Sequence, residues 1–439
     1  MKRLLVGMMV LAASLSMATT ALATNGMNLE GYGPIATGMG GASMAYDNGA
    51  AAVMNNPATI GMMPEGSRLD VALGYLGPHV KASVPGMEAK SSADAFYMPA
   101  FGWVAKSGKI SSGVAVFSQG GMGTEYDASS FMAQPTGVFT GDKVGSTLGV
   151  GRVMIPIVYS VTPDFTIGGT IDYVWASLDL QMAASIQQLG SLVIGGAGPL
   201  LSGLGGLPGT NWARIDFSDG GNFNGSATGS GYAAKIGAMY RINQSISIGA
   251  TYHSKTNLRN LETDNQGAVL TAQGAGSVPG KIIVQDFQWP ETYALGVAWN
   301  ALPQLLIVFD YKQINWSDVM KNFTMTYEGG GSVIGFALPQ YWERQHVYEI
   351  GLGYKFTNEF TGRVGANIAN NPVPDVYTNA LFPAIEKQHY TIGAGYLFST
   401  ASSMDASFTY APKVSVTNGF GITVEHYQTN AQVMYSYRF

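Results

Sequence analysis

The feature that most limits the fold is a period of two in the hydropathy of many short segments. In residues 292–299, for example, large apolar side chains occupy every second position, namely Tyr293, Leu295, Val297 and Trp299. Residues 245–253 and 348–356 repeat this pattern. Successive side chains of a β-strand point to opposite faces, so each segment is predicted to be a strand with one apolar and one small or polar face. The chain is therefore expected to be all-β.

The composition places the apolar faces of these strands against lipid. Only 12% of the 439 residues are charged, whereas 58 are Gly and 23 are Tyr, which is unusual for a soluble domain. Helical spans are not expected, because they need about 18 or more consecutive apolar residues. The nearest candidate, residues 186–207, is interrupted by many Gly and one Pro. A closed β-barrel remains as the way to cross a membrane with every backbone polar group satisfied.

Short turns alternate with longer polar or Gly-rich links, and this alternation predicts the topology. Tight turns are expected at residues 106–109, 162–164, 242–245, 301–304, 357–359 and 399–403. The predicted strands are residues 68–77, 92–106, 109–118, 145–161, 164–182, 227–242, 244–258, 281–300, 303–327, 342–357, 359–369, 387–399, 403–413 and 427–439. An even number of strands leaves both termini on the short-turn side, as in bacterial outer-membrane barrels. We therefore predict a 14-stranded antiparallel transmembrane β-barrel formed by residues 67–439.

Residues 24–66 differ from the rest of the chain and are predicted to plug this barrel. They are rich in Gly, Ala, Met and Asn and nearly free of charge, and they show neither the period of a strand nor that of a surface helix. Their small residues permit close approach of backbones, and Asn55-Asn56-Pro57 is a turn signal. Such a segment needs an enclosure to stay folded. We call residues 24–66 the hatch.

The two termini indicate export and assembly into a membrane. Lys2 and Arg3 precede an apolar run and a small-residue cleavage site, which predicts a signal peptide over residues 1–23. Its removal takes the 23 basic residues to 21 against 28 acidic ones, a balance that argues against nucleic acid as a partner. At the other end, Phe439 closes an alternating aromatic strand, which is the signal that outer-membrane barrels present to their assembly machinery. We expect a monomer surrounded by lipid in the outer membrane of a Gram-negative bacterium.

Several stretches resemble the FadL/TodX family of outer-membrane transporters for long-chain fatty acids and other hydrophobic compounds. They are Gly40-Gly41-Ala42, Asn56-Pro57-Ala58, Val116-Phe117 with Gly121-Met122-Gly123-Thr124-Glu125-Tyr126, Trp289-Pro290-Glu291-Thr292-Tyr293, Asn315-Trp316-Ser317 and Asn371-Pro372-Val373-Pro374-Asp375. No single stretch is specific, but their order extends over the whole mature chain. The resemblance implies a 14-stranded barrel closed by an N-terminal hatch, in agreement with the periodicity.

The resemblance also implies a route through the barrel wall. An apolar substrate would be caught outside and would leave sideways through a gap where the third strand, here residues 109–119, kinks inward beside the hatch. The implied lateral gate consists of Asn56, Pro57, Ala58, Gly113, Val114, Ala115, Val116 and Phe117. An Asn side chain suits the backbone groups that a kink leaves unpaired. The alternative is that Asn56-Pro57 is only a turn.

One external link is a candidate for substrate capture. Residues 183–210 are unusually apolar for a loop and contain Ile186, Leu189, Leu192, Val193, Leu200, Leu201, Leu204 and Leu207. Exposed apolar patches of this size usually bind something. We expect two short helices, at residues 184–194 and 199–205, to form a groove for an acyl chain or a hydrocarbon. The alternative is that the loop folds inward and caps the barrel.

The sequence gives few signs of polar chemistry. A carboxylate ligand would need one cation, and the candidates are Arg152, Lys255 and Lys312, each of which could instead form an internal ion pair. The five His residues lack metal-like spacing, there is no Cys, and no G-x-S-x-G motif occurs. We therefore expect neither an enzyme nor a bound metal or organic cofactor.

The expected function is diffusive uptake of hydrophobic compounds, with long-chain fatty acids as the first candidate substrate. Uptake of aromatic hydrocarbons or alkanes is the alternative within this class, because an apolar pocket distinguishes ligands that differ by one methylene by only about 1–3 kcal/mol. A surface adhesin or phage receptor on a barrel scaffold is an alternative of another class, since the loop sequences do not exclude it.

Overall fold

The computed structural model describes residues 25–204, 210–218, 226–274 and 276–439, so the predicted signal peptide lies outside the described residues. The strands are β1 (Gly66–Val84), β2 (Met87–Lys90), β3 (Phe96–Ser107), β4 (Ile110–Tyr126), β5 (Val144–Ser160), β6 (Phe165–Ser185), β7 (Val193–Ala197), β8 (Trp212–Asp216), β9 (Ala227–Arg241), β10 (Ile246–His253), β11 (Asn257–Leu258), β12 (Leu261–Glu262), β13 (Ala268–Ala272), β14 (Gly276–Gln285), β15 (Thr292–Leu302), β16 (Leu305–Ile314), β17 (Asn322–Gly329), β18 (Ser332–Pro339), β19 (Gln345–Lys355), β20 (Phe360–Ala369), β21 (Gln388–Leu397), β22 (Ser402–Thr417) and β23 (Thr423–Arg438). The α-helices are α1 (Pro34–Thr37), α2 (Ile186–Leu192) and α3 (Pro199–Leu204), and 3-10 helices cover Gly49–Val53, Pro57–Met62, Phe131–Ala133, Trp316–Asp318 and Asp375–Tyr377.

Antiparallel pairing closes the sheet into a barrel. The last strand returns to the first, with Arg68 opposite Arg438 at one end of the ladder and Ser83 opposite Thr423 at the other. Around the closed wall the strands follow the order β1, β3, β4, β5, β6, β9, β10, β15, β16, β19, β20, β21, β22 and β23. Closure removes the free edges that an open sheet would expose to lipid.

The predicted count of fourteen strands is wrong. The sheet contains 23 strands among the described residues, because it includes further strands besides those that close the wall. Three predicted strands are each two separate strands, and residues 244–258 are one of them, since they form β10 and β11. Residues 281–300 break between β14 and β15 at Trp289-Pro290, where Pro has no N–H for a ladder. Residues 303–327 break at the 3-10 helix Trp316–Asp318, between β16 and β17.

The other additional strands lie in segments that were predicted to be external links. β13 pairs with β8 and β14, β14 with β17, and β17 with β18, so the sheet continues beyond the barrel wall. These strands are short, and some of their partners are distant in sequence, as when β8 pairs with β13. Periodicity alone therefore gives little sign of them.

Side chains alternate between lipid and lumen as the period of two predicts. On β15, Tyr293 and Leu295 are exposed on the outside, whereas Ala294 and Ala298 are buried inside. On β23, Tyr435 and the terminal Phe439 are exposed. No helix among the described residues is long and apolar enough to cross a membrane.

The described part of the hatch, residues 25–65, lies inside the barrel, and almost all of it up to Met63 is buried. Glycines allow its close approach to the wall. Gly40 has a φ of 73°, in the left-handed region, and a Cβ there would lie 2.7 Å from the backbone nitrogen of Ala366 in β20. The hatch therefore fills the lumen by direct contact of backbones.

Candidate functional site

The wall is incomplete between β3 and β4. Their ladder runs from Ser107 opposite Ile110 to Phe101 opposite Val116 and ends there. Beyond that pair β3 continues along β1, while β4 continues along β5. We call the place where β3 and β4 separate the wall opening.

A bulge in β4 turns this strand toward the hatch. The register of β4 against β5 shifts between Ser118 and Gly120, which places Gln119 in the bulge. The backbone N–H of Gly121 donates a hydrogen bond of 3.1 Å to the carbonyl of Met27, and Gly120 forms a bridge with the hatch. A Cβ at Gly120 would collide with that Met27 carbonyl. Some backbone groups of β4 that are no longer paired with β3 thus form hydrogen bonds with the hatch instead.

The hatch also lines the inner side of the wall opening. A cavity of about 30 Å³ lies there, which we call the opening cavity; it is lined by Leu29, Gly31, Tyr32, Gly33, Ala72, Gly74, Met98, Pro99, Ala100, Phe117, Ser118 and Gln432. The Tyr32 hydroxyl donates a hydrogen bond of 2.7 Å to the carbonyl of Gln119 in the bulge. Burial raises the pKa of Tyr32, so the phenol stays protonated and keeps this donor. The hatch and the bend of β4 are therefore joined at the opening.

The predicted gate residues of the hatch are Asn56, Pro57 and Ala58, and they do not line the opening cavity. The Asn56 side-chain amide donates to the carbonyls of Met44, at 2.6 Å, and of Ala238 in β9, at 3.1 Å. Its side-chain oxygen accepts from the backbone N–H of Ala58 at 3.1 Å and caps the following 3-10 helix. The predicted turn is thus present, but its hydrogen bonds hold the hatch to β9 and not to the third strand.

The predicted gate residues of the third strand divide between the ladder and the hatch. Gly113, Val114 and Val116 pair with β3 below the wall opening. Ala115 and Phe117 are buried with another part of the hatch, a cluster that includes Ala50, Ala51, Ala52, Val53, Met54, Ile60 and Met63. The hatch residues that share this cluster with Ala115 and Phe117 flank the predicted gate residues 56–58 on both sides.

The predicted capture loop folds onto the barrel. It forms α2, capped by the Ser185 side chain, then β7, which pairs with β18, and then α3. Leu189 is buried, and Ile186, Leu192, Val193, Leu200 and Leu201 are partly buried against the main core. Leu204 belongs to α3, and Leu207 lies outside the described residues. The arrangement matches the alternative of a capping loop more closely than an open groove.

An apolar cavity lies in the lumen toward the ends of the strands that carry the long links. It measures about 20 Å³ and is lined by Met27, Leu148, Leu178, Phe287, Met320, Phe323, Leu338, Gln340, Trp342 and Phe382. We call it the apolar cavity. Edge-to-face indole rings support one side of it, with Trp289 and Trp316 centred 5.3 Å apart and Trp316 and Trp342 5.1 Å apart.

The candidate carboxylate-binding cations are already paired or lie outside the lumen. Arg152 is fully buried, and its Nη1 lies 2.8 Å from the Asp172 carboxylate. The Nζ of Lys312 lies 2.8 Å from Glu349. Lys255 is exposed beyond the end of β10. Internal ion pairs therefore engage Arg152 and Lys312.

Sequence reasoning missed several residues of this site. Gln119 and Tyr32 join the hatch to β4, and Lys235 lines a polar cavity of about 60 Å³ together with His253 and Lys312. The Gly-rich run after Gln119 was a usable signal, because Gly inside a strand often marks a bulge. The other residues meet across long sequence separations and carry no local pattern.

Comparison with known proteins agrees with this geometry. A family model described as outer membrane protein transport protein (OMPP1/FadL/TodX) matches residues 10–432. The crystal structure of the toluene transporter TodX of P. putida is 31% identical and superimposes with a TM-score of 0.85, covering 94% of this chain and 99% of that chain. The toluene transporter TbuX of Ralstonia pickettii is 30% identical with a TM-score of 0.81, covering 94% of this chain and 99% of that one.

The curated relatives are matched over shorter stretches. Outer membrane protein P1 of Haemophilus influenzae is 25% identical over 181 residues, which is 41% of this chain. The chain covers 38% of the length of each curated relative that it matches.

Proposed function

Because the chain belongs to the OMPP1/FadL/TodX family of transport proteins, and so is a channel for hydrophobic compounds in the outer membrane of Gram-negative bacteria, we propose that its substrates are monoaromatic hydrocarbons. The observation that carries this proposal is the similarity, over nearly the whole chain, to two transporters of toluene. Long-chain fatty acids, the first candidate from the sequence, have less support, since both of these solved structures are toluene transporters.

The charges in the lumen also favour an uncharged substrate. A fatty acid needs a cation for its carboxylate, because burying an unpaired charge is costly. Arg152 and Lys312 are engaged by Asp172 and Glu349, and the Lys235 ammonium donates a hydrogen bond to the backbone carbonyl of Met54. A hydrocarbon makes no such demand.

The apolar cavity supplies a surface that suits an aromatic ring. Phe287, Phe323 and Phe382 line it beside Trp342, and aromatic rings favour edge-to-face or offset contacts with such side chains. The free volume of about 20 Å³ is smaller than a ring, so the lining must adapt. Met27 and Met320 provide that adaptability, since a thioether chain has several rotatable bonds.

The hatch segment from Asn25 to Tyr32 lies beside both cavities. Met27 lines the apolar cavity, and Leu29, two residues further along, lines the opening cavity. We propose that substrate moves from the first cavity past these side chains and leaves through the wall opening. Transport would follow the concentration gradient, and residues 186–204 would cover the external entrance.

Uptake into proteoliposomes tests the substrate proposal. Vesicles that carry the protein should take up labelled toluene faster than empty vesicles and faster than heat-denatured controls, with little gain for labelled oleate. Rapid oleate uptake without a gain for toluene would reject the aromatic proposal and restore the fatty acid.

A further inference from the structure

Two hydrogen-bonding groups line the apolar cavity without a partner. Gln340 is only 8% exposed, and its side-chain amide makes no hydrogen bond to the described residues. Trp342 is 3% exposed, and its indole N–H is buried without a hydrogen-bond partner in the described part of the chain. Every other residue that lines this cavity is apolar. Buried polar groups are nearly always paired, so the buried indole N–H of Trp342, beside a Gln340 amide that also makes no hydrogen bond, calls for an explanation.

The backbone fixes both side chains at the cavity. The N–H groups of Gln340 and Tyr341 each donate at 3.0 Å to the carbonyl of Lys321, and that of Trp342 donates at 3.0 Å to the carbonyl of Met320. Tyr341 between them has a φ of 45° and is exposed. A bulky residue is rarely found in this left-handed region. The turn thus holds Gln340 and Trp342 on the cavity side and directs Tyr341 away.

From this arrangement we propose that the apolar cavity binds monoaromatic compounds that carry one oxygen substituent, such as a phenolic hydroxyl. The hydroxyl would donate to the side-chain oxygen of Gln340 and accept from the indole N–H of Trp342, while the ring contacts Phe287, Phe323 and Phe382. This inference rests on the proposed function, because it refines the substrate class of the same cavity. Plain hydrocarbons still bind, but they leave both polar groups unsatisfied.

The test compares p-cresol with p-xylene, which differ only by a hydroxyl in place of a methyl group. Dissociation constants of both compounds are measured for the purified protein in one detergent by equilibrium dialysis. Both compounds also partition into the detergent micelles. When variants are compared by the ratio of the two dissociation constants, most of this contribution cancels. The variants are Gln340→Leu, which removes the amide, and Trp342→Phe, which removes the N–H and keeps an aromatic ring. Gln285→Leu is the matched control, because Gln285 is exposed and lies outside the cavity.

We expect the wild type to prefer p-cresol, and Gln340→Leu to lose about fivefold of that preference, as the loss of one hydrogen bond predicts. Trp342→Phe should lose a similar part of the preference for p-cresol, and Gln285→Leu should lose none of it. Binding of p-xylene should persist in each variant whose heat-modifiable migration in gels shows a folded barrel.

Two results separate this inference from the proposed function. An unchanged p-cresol to p-xylene ratio in folded Gln340→Leu and Trp342→Phe, with p-xylene still bound, would overturn the inference alone and assign the two groups to an ordered water. Absence of binding for both compounds in the wild type would overturn the proposed function itself.

Discussion

Two seams of the barrel, that is, lines along which adjacent strands pair, differ in how the backbone hydrogen bonds of their strands are made. Between β5 and β6 the ladder is continuous from Gly145 opposite Gln181 to Ser160 opposite Thr166. Between β3 and β4 it stops at Phe101 opposite Val116. The two seams share the same wall, since β4 pairs with β5. The difference shows that the opening comes from a local change of partner and not from a generally weak wall.

The complete seam, between β5 and β6, carries a buried charge pair. At the incomplete seam, between β3 and β4, the hatch makes some of the hydrogen bonds that the strands do not make to each other. Arg152 and Asp172 lie on β5 and β6 with their side chains buried inside the barrel. At the incomplete seam, the carbonyl of Met27 accepts a hydrogen bond from the backbone of β4, and the Tyr32 hydroxyl donates one to the carbonyl of Gln119 in β4. Changes at the first seam should therefore affect stability most, with a smaller effect on the bulge, because Arg152 also donates a hydrogen bond to the Gln119 side chain. Changes at the second seam should affect both stability and passage.

The largest expected effect follows from breaking the charge pair of the complete seam. Asp172→Asn leaves the buried Arg152 without its carboxylate, and breaking a buried ion pair costs about 3–5 kcal/mol of unfolding free energy. Urea unfolding in detergent, followed by tryptophan fluorescence, measures the loss. The control Asp164→Asn breaks an exposed pair with Arg241 and should cost no more than about 1 kcal/mol. Equal losses in both variants would show that the buried pair is not special.

A smaller loss is expected when the bulge of the incomplete seam is crowded. Gly120→Ala places a Cβ against the Met27 carbonyl, and overpacking of this kind costs about 1–3 kcal/mol. Gly353→Ala is the control, because a Cβ there would lie 3.5 Å from the Met39 side chain, an ordinary contact. The temperature at which each variant loses its folded gel band reports the difference. If Gly120→Ala is as stable as Gly353→Ala, the hatch does not hold β4 at this point.

The smallest effect should come from removing one hydrogen bond between hatch and bulge. Tyr32→Phe deletes the donor to the Gln119 carbonyl, and one such bond contributes about 0.5–1.5 kcal/mol. We also expect faster hydrogen exchange at Gln119 and Gly121 in mass spectrometry. Exchange that increases equally at β5 and β6 would mean that the effect is global and that the two seams are not independent.

Elements with a clear period of two were predictable from the sequence. β19, β21 and β23 lie close to their predicted bounds, because each alternates large apolar with small or polar residues over most of its length. The predicted strands 281–300 and 303–327 are too long, because apolar side chains occur on both sides of Pro290 and Trp316. Some additional external strands, such as β7 and β8, pair with distant segments, and local periodicity does not report such pairing.

The site was predictable in its parts and not in its contacts. The Asn-Pro turn at Asn56 was readable, but its partner Ala238 lies 182 residues away. The Gly-rich stretch after Phe117 indicated an irregular strand, yet nothing local indicated that Met27 would meet it. The roles predicted for the lateral gate, for the capture loop and for Phe439 in assembly stay predictions.

The central claim is that substrate leaves through the wall opening, and a block at that point tests it most directly. Ala100 lines the opening cavity on β3, so Ala100→Trp should fill the exit. The control Ala105→Trp lies on the same strand, opposite Ser112 in the intact part of the ladder. We predict that Ala100→Trp abolishes uptake of labelled toluene into proteoliposomes while toluene binding in detergent persists, and that Ala105→Trp retains both. Undiminished uptake by a folded Ala100→Trp variant would contradict the account and show that substrate takes another route, through a displaced hatch.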